Sequence, residues 1–165
     1  MLVIVEGPDG SGKTTLINDL YKYKYKKVFG IHKNSPRQFD LWSQIMISHI
    51  KSDEYYVIDR CYLSDWAYRL AVNDGEPYIK LQDIADLLKL DGVVYVFCET
   101  SNAYGNAVKR GEDYITDRCT HIKLTYIYDF IYETLCKFTN AKCIKYNYET
   151  DNIKTLNRKI KAMLK

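Results

Sequence analysis

The sequence predicts an α/β fold: a three-layer sandwich in which a five-stranded, mostly parallel sheet is flanked by helices. Three observations carry the prediction. Short apolar runs of strand length alternate with segments whose apolar residues recur every three or four positions, as in successive βαβ units. A glycine-rich stretch follows the first run at once and leads directly into the first helix. The run Val93-Val94-Tyr95-Val96-Phe97 is apolar without alternation, as expected of a strand covered on both faces. With 165 residues, 47% hydrophobic and 27% charged, the chain has the size and balance of one globular domain, residues 1–165.

The elements follow in order. Leu2-Val3-Ile4-Val5 is the first strand, and Leu16, Ile17 and Leu20 mark the helix after the glycine-rich stretch. From Tyr21 to Lys27 tyrosine and lysine alternate, which predicts a helix end passing into a strand that reaches Phe29 or Ile31. Such a tract could also stack on bases, but a solvated face is the stronger reading. Pro36 breaks the chain, and Phe39, Trp42, Ile45, Met46 and Ile50 then form one helical stripe. Tyr55 to Ile58 is a strand ended by Asp59-Arg60, and Leu63, Trp66, Ala67 and Leu70 begin another helix.

Asn73-Asp74-Gly75-Glu76-Pro77 is a turn by composition. Ile79, Ile84, Leu87 and Leu88 predict a helix before the strand at 93–97. Residues 100–119 are polar and charged, and Ile122, Tyr126, Ile127, Phe130, Ile131 and Leu135 predict a long helix after them. Cys143 to Tyr146 is the last strand candidate, and Ile153, Leu156, Ile160 and Met163 line a closing helix.

Several classes are set aside. No apolar run reaches the roughly 18 residues of a membrane span, and the N-terminus lacks the layout of a signal peptide. A cytoplasmic location is therefore expected. The five cysteines are widely spaced with no C-x-x-C pair, and read as reduced thiols, Cys98 being a small core residue. His32, His49 and His121 have no partners at metal-ligand spacing, so no zinc site is expected. A net charge of +3 is too small to argue for duplex nucleic acid as a partner, although it suits a site that collects phosphates.

Gly7 to Thr14 matches G-x-x-x-x-G-K-[ST] between a strand and a helix, the context that makes the match a P-loop. Gly7, Gly10 and Gly12, with Ser11 among them, let the backbone N–H groups turn inward. The helix N-terminus adds its positive end, and the result is a cradle for phosphate oxygens. In that context Lys13 places its ammonium against the β- and γ-phosphates of ATP, Thr14 ligates Mg2+, and Thr15 continues the cradle. Asp59, at the end of its strand, stands where a carboxylate holds the magnesium or its waters; a helix N-cap is the competing reading.

Glu6-Gly7-Pro8-Asp9-Gly10-Ser11-Gly12-Lys13-Thr14-Thr15 resembles the opening of the thymidylate kinase family, E-G-x-D-x-S/A-G-K-T/S-T. Asp59-Arg60-Cys61-Tyr62-Leu63-Ser64 with Ala67-Tyr68 is similar to its D-R-Y/H-x-x-S-x-x-A-Y/F segment. Asp91 before Val93–Phe97 resembles its P-D-L-x-x-x-L strand, and Lys109-Arg110-Gly111-Glu112 its arginine-bearing lid, here at about 100–119. The resemblance implies a nucleoside monophosphate kinase-like fold and particular roles. Asp9 would face the acceptor sugar's 3′-hydroxyl, Arg60 would hold the acceptor phosphate, and Ser64 and Tyr68 would line the acceptor pocket. The phosphate loop has no arginine at its variable positions, so the lid must supply one. Arg110 is the first choice, with Lys109 and Arg118 as alternates.

The stretch between Lys13 and Asp59 is shorter than in that family and lacks its R-x-P motif. Arg37 or Lys33 would then touch the acceptor phosphate, and Phe39 or Trp42 would stack on a base, although for Trp42 a core role is the stronger reading.

The first expectation is transfer of the ATP γ-phosphate to a deoxynucleoside monophosphate, dTMP foremost. The second is a kinase acting on a hydroxyl of a nucleoside, modified base or DNA end, with Asp59 as general base. The third is a nucleotide-binding module without turnover. A homodimer is compatible with the apolar helix over Phe39–Ile50.

Overall fold

The computed structural model describes residues 1–28, 39–73, 80, 82, 86, 89–111 and 117–164, with the side chains of 39–42 and 45 left out. The helix expected over Ile79–Leu88, the segment carrying Lys33 and Arg37, and the side chains of Phe39 and Trp42 lie outside the described residues.

Five strands form one sheet: β1 (Leu2–Glu6), β2 (Lys26–Val28), β3 (Tyr56–Asp59), β4 (Val93–Cys98) and β5 (Cys143–Tyr146). Their spatial order is β2-β3-β1-β4-β5, and every neighbouring pair is parallel. The helices are α1 (Lys13–Tyr21), α2 (Phe39–Ile50), α3 (Tyr62–Val72), α4 (Ala103–Lys109), α5 (Arg118–Phe138) and α6 (Ile153–Leu164). The chain is thus an α/β three-layer sandwich. Among the described residues no helix is long and apolar enough to cross a membrane.

Alternation along the central strands explains why their sequences are continuously apolar. Leu2 and Ile4 of β1, with Val93, Tyr95 and Phe97 of β4, face a core completed by Leu63 and Ala67 of α3 and Leu124, Ile131 and Leu135 of α5. Val3, Val5, Val94 and Val96 face a second core with Leu16, Ile17 and Leu20 of α1 and Leu156, Ile160 and Leu164 of α6. A strand covered on both faces has no polar side to show.

The long helix expected after the polar segment is α5, and of the residues that marked it Ile131 and Leu135 are buried and Ile127 packs on the core. The helix's buried residues are His121, Leu124, Tyr128, Ile131 and Leu135, while Ile122, Tyr126 and Phe130 are 44%, 70% and 58% exposed. The exposed set joins Trp66 and Leu70 of α3 around an apolar groove of about 440 Å³. None of the phosphate-loop residues lines that groove. The inward face of α5 looks partly onto polar groups at the strand ends, so it needs an imidazole and a phenol there. The apolar residues of α5 are therefore divided between its two faces.

The sheet order also places the site. β1 lies between β3 and β4, with Val5 level with Asp59, and the Arg60 N–H continues the ladder by donating to the Val5 carbonyl at 2.9 Å. The loop after β1 and the turn after β3 leave the C-terminal ends of neighbouring parallel strands side by side. This is the crevice in which open parallel sheets bind their ligands.

Candidate active site

The loop between β1 and α1 is held by what packs on it. A Cβ at Gly10 would lie 1.9 Å from the Ala103 carbonyl oxygen and 2.8 Å from the Ala107 nitrogen, and one at Gly12 would lie 2.2 Å from the Tyr148 ring. Both glycines have positive φ, 76° and 90°. The polar segment after β4 therefore contains a helix, α4, seated directly on the phosphate loop. Asn106 of α4 donates to the Gly10 carbonyl at 3.2 Å and to the Tyr148 hydroxyl at 3.0 Å. From α5, His121 Nε2 lies 3.0 Å from the Asp9 carbonyl, which can only accept, so that nitrogen carries the proton. Gly10→Ala should shift α4 off the loop and lower stability by about 1–3 kcal/mol. Denaturant unfolding and nucleotide binding, measured together, check it; wild-type values for both would contradict the packing.

Inside the loop, Lys13 is 7% exposed and its Nζ donates to the Pro8 carbonyl at 2.6 Å. Burial, and then the neighbouring Arg60 charge, pull its pKa down to about 8. The Ser11 hydroxyl is buried and finds no partner among the described residues. Thr14 and Thr15 are exposed at the start of α1. A buried ammonium and a buried hydroxyl among inward-turning amides suit an anion.

Asp59 ends β3, and its Oδ1 is buried without a hydrogen-bond partner among the described residues. It is not the cap of α3: that role belongs to Cys61, whose sulfur accepts from the Leu63 N–H at 3.5 Å. The N-cap reading of Asp59 is therefore removed. An uncommitted carboxylate oxygen and the Thr14 hydroxyl are hard oxygen donors of the kind magnesium takes. Among the described residues no three His, Cys, Asp or Glu side chains converge, so a cation here would rely on phosphate oxygens for further ligands.

Arg60 is the hub of the hydrogen bonds beside the loop. Its backbone is left-handed, φ 67°, which turns the side chain back under the phosphate loop. Nη1 donates to the Gly7 carbonyl at 3.2 Å, Ser64 Oγ at 3.1 Å and the Tyr128 hydroxyl at 3.3 Å. Nη2 donates to Asp9 Oδ1 at 2.5 Å and to the Tyr68 hydroxyl at 3.1 Å. The guanidinium carbon also sits 5.1 Å from the centre of the Tyr68 ring. Beneath it, Glu6 is fully buried, accepting from the Cys61 N–H at 2.5 Å and from Ser64 Oγ at 2.6 Å. Burial pushes the Glu6 pKa up, while the hydrogen bonds from Cys61 and Ser64 and the Arg60 charge hold it back.

The structure thus brings together Gly7, Asp9, Gly10, Ser11, Gly12, Lys13, Asp59, Arg60, Ser64 and Tyr68. Ser64 is 5% exposed and its hydroxyl is engaged by Glu6, Arg60 and Tyr128, so it reaches a ligand only through Arg60. Arg110 follows α4 as its C-cap and is exposed, as are Lys109 and Arg118. Glu6, Asn106, His121, Tyr128 and Tyr148 were not expected at the site. Glu6 stands in the loop motif, but nothing in its spacing signals a partner on the turn after β3. The other four lie far along the chain, and their types are common on any helix or turn.

No protein-family model matches the chain, and no curated protein sequence matches it. Solved structures do. The YorR protein of Bacillus subtilis, in complex with phosphorylated GDP, superposes with a TM-score of 0.68 at 18% identity over 99% of this chain and 95% of its own. The deoxyadenosine kinase of M. mycoides with bound dATP gives 0.66 at 18% identity, and with bound dCTP 0.64 at 21%, each covering 98% of this chain and 100% of the kinase. The similarity therefore runs the length of the domain, and the chain has the P-loop α/β fold that those proteins share.

Proposed function

We propose that the protein transfers the γ-phosphate of ATP, with Mg2+, to a deoxynucleoside monophosphate, dTMP being the first acceptor to test. One observation carries the reading: a glycine loop holds a buried ammonium, and its own Asp9 pairs with Arg60, the guanidinium that follows the neighbouring strand. The cradle suits a triphosphate, and the paired charges suit an acceptor with both hydroxyl and anionic groups. The kinase among the structural neighbours and the resemblance of the loop and Asp59-Arg60 segments support the same reading.

In this reading the residues mostly position and neutralise. Loop amides and Lys13 hold the triphosphate, Asp9 takes a sugar hydroxyl, and Tyr68 walls the acceptor. Arg110, at the end of α4, is the residue proposed to offset charge on the moving phosphoryl group and to exclude water. Thr14 and Asp59 would hold the magnesium, which when bound neutralises phosphate oxygens. Asp59→Asn keeps the shape and removes the charge. It should raise the magnesium needed for half-maximal rate by about 10-fold or more, as read from turnover against magnesium concentration.

A second reading has its own observation. Both terminal nitrogens of Arg60 are already engaged by protein acceptors, which leaves the guanidinium little to offer a phosphate. A neutral acceptor hydroxyl would then need a base, and the uncommitted Asp59 oxygen could supply it. ADP release measured over the common deoxynucleosides, their monophosphates and oligonucleotide ends decides between the two. Turnover with monophosphates alone supports the first reading, with nucleosides or DNA ends the second. No turnover with any acceptor overturns both.

A further inference from the structure

We propose that Glu6 is a positioning residue for Arg60, holding the guanidinium against the phosphate loop through the hydroxyls of Ser64 and Tyr128; the inference rests on the kinase reading above.

The geometry is a closed relay. Glu6 is the last residue of β1 and has no exposed surface. One carboxylate oxygen takes the Cys61 N–H, fixing the backbone directly after the left-handed Arg60. The other takes the Ser64 hydroxyl at 2.6 Å and lies 3.4 Å from the Tyr128 hydroxyl. Those two hydroxyls are 2.8 Å apart, and each accepts from Arg60 Nη1. A serine hydroxyl has one proton and two lone pairs. With its hydroxyl proton directed at Glu6, Ser64 can accept from both Arg60 and Tyr128.

The arrangement calls for a carboxylate rather than any acceptor. Cys61 N–H and Ser64 O–H point at the two oxygens as donors, and an amide at this position would set its NH2 group against one of them. The groups around Glu6 are Arg60 and Cys61 from the turn after β3, Ser64 from α3, Tyr95 from β4 and Tyr128 from α5. Only Arg60 among them is a cation. A fully buried carboxyl group joined to a part-buried cation through two hydroxyls is tied to its position, because a buried polar group left without its partner is costly.

Four preparations test the proposal: wild type, Glu6→Gln, Arg60→Lys and the double variant. In Glu6→Gln, kcat/KM for the acceptor should fall about 10- to 100-fold while ATP affinity by calorimetry stays within about twofold. Adding Glu6→Gln to Arg60→Lys should then cost far less than on wild type, since the residue it acts through is already altered. Full additivity, or a loss of ATP affinity as large as the loss in acceptor kinetics, overturns the proposal and leaves Glu6 a general fold-stabilising group. If Glu6→Gln does not fold, Ser64→Ala cuts the same relay without altering charge and must give the same acceptor-specific loss. Should wild type turn over no acceptor, the kinase reading fails by itself. Nitrogen-15 NMR of the Arg60 guanidinium still reads the relay: resolved Nη–H signals in wild type that broaden in Glu6→Gln support it, and identical spectra overturn it.

Discussion

Lys13→Ala should reduce turnover about 10³-fold or more and leave the protein at least as stable as wild type at pH 7. The first half follows from the place of Nζ, which is buried inside the loop where developing phosphate charge would sit. Removing one preorganised charge stabiliser from such a site costs rates on that scale. The second half follows from the pKa. The folded protein lowers Lys13 from its ordinary 10.5 to about 8, so burial disfavours the charged form. Between those values the unfolded chain holds the proton more tightly, and stability rises with pH across that window. Below pH 8 the full burial penalty is present, amounting to a few kcal/mol at most. Alanine removes it.

The same shift predicts how ATP binding responds to pH. A triphosphate prefers the ammonium, so above pH 8 the free protein must take up a proton as it binds. Apparent ATP affinity should be flat below about pH 7 and should weaken toward tenfold per pH unit above 8. Calorimetry in two buffers of different ionisation enthalpy reads the proton uptake directly. A Lys13→Ala protein that hydrolyses or transfers phosphate at the wild-type rate would remove the basis for the ATP assignment.

The loop and the sheet were legible because each obeys a local rule. Gly10 and Gly12 stand where backbone or ring atoms approach too closely for any side chain, and lysine and threonine follow where the helix opens. The central strands β1 and β4 showed as apolar runs because both faces of the sheet are covered there, whereas the edge strand β2, Lys-Lys-Val, did not.

What surrounds the site was not legible, for a related reason. Hydrophobic periodicity finds the face that packs on hydrocarbon, and the inward face of α5 packs in part on Asp9 and Arg60. Its polar members, His121 and Tyr128, carry no apolar signal, while Tyr126 and Phe130 carry one although they lie on the outer face. Nor can spacing disclose that Glu6 and Ser64 meet, since the register of β1 against β3 brings their segments together.

Arg60→Lys should cut kcat/KM for the acceptor about 10²-fold with ATP affinity nearly unchanged. Both residues are cations, and both would carry the left-handed φ of 67° at similar strain, so neither net charge nor backbone conformation distinguishes them. What differs is the planar fork, which spans Gly7, Ser64, Tyr128, Asp9 and Tyr68 from two nitrogens. One ammonium with three donors cannot meet five acceptors spread around a guanidinium plane.

Arg60→Ala would be a poorer probe. It leaves Asp9 without its cation and the hydroxyls of Ser64, Tyr68 and Tyr128 without a donor, so a loss of stability would confuse the reading. The lysine variant also divides the two acceptor readings. If Arg60 contacts an acceptor phosphate, the loss appears mainly as a raised KM for monophosphates. If Arg60 instead fixes Asp9 and the loop around a neutral acceptor, kcat falls with KM little changed, because the interaction lost belongs to the transition state. Acceptor kinetics equal to wild type in both parameters would reduce Arg60 to a source of charge and leave its five hydrogen bonds without a catalytic role.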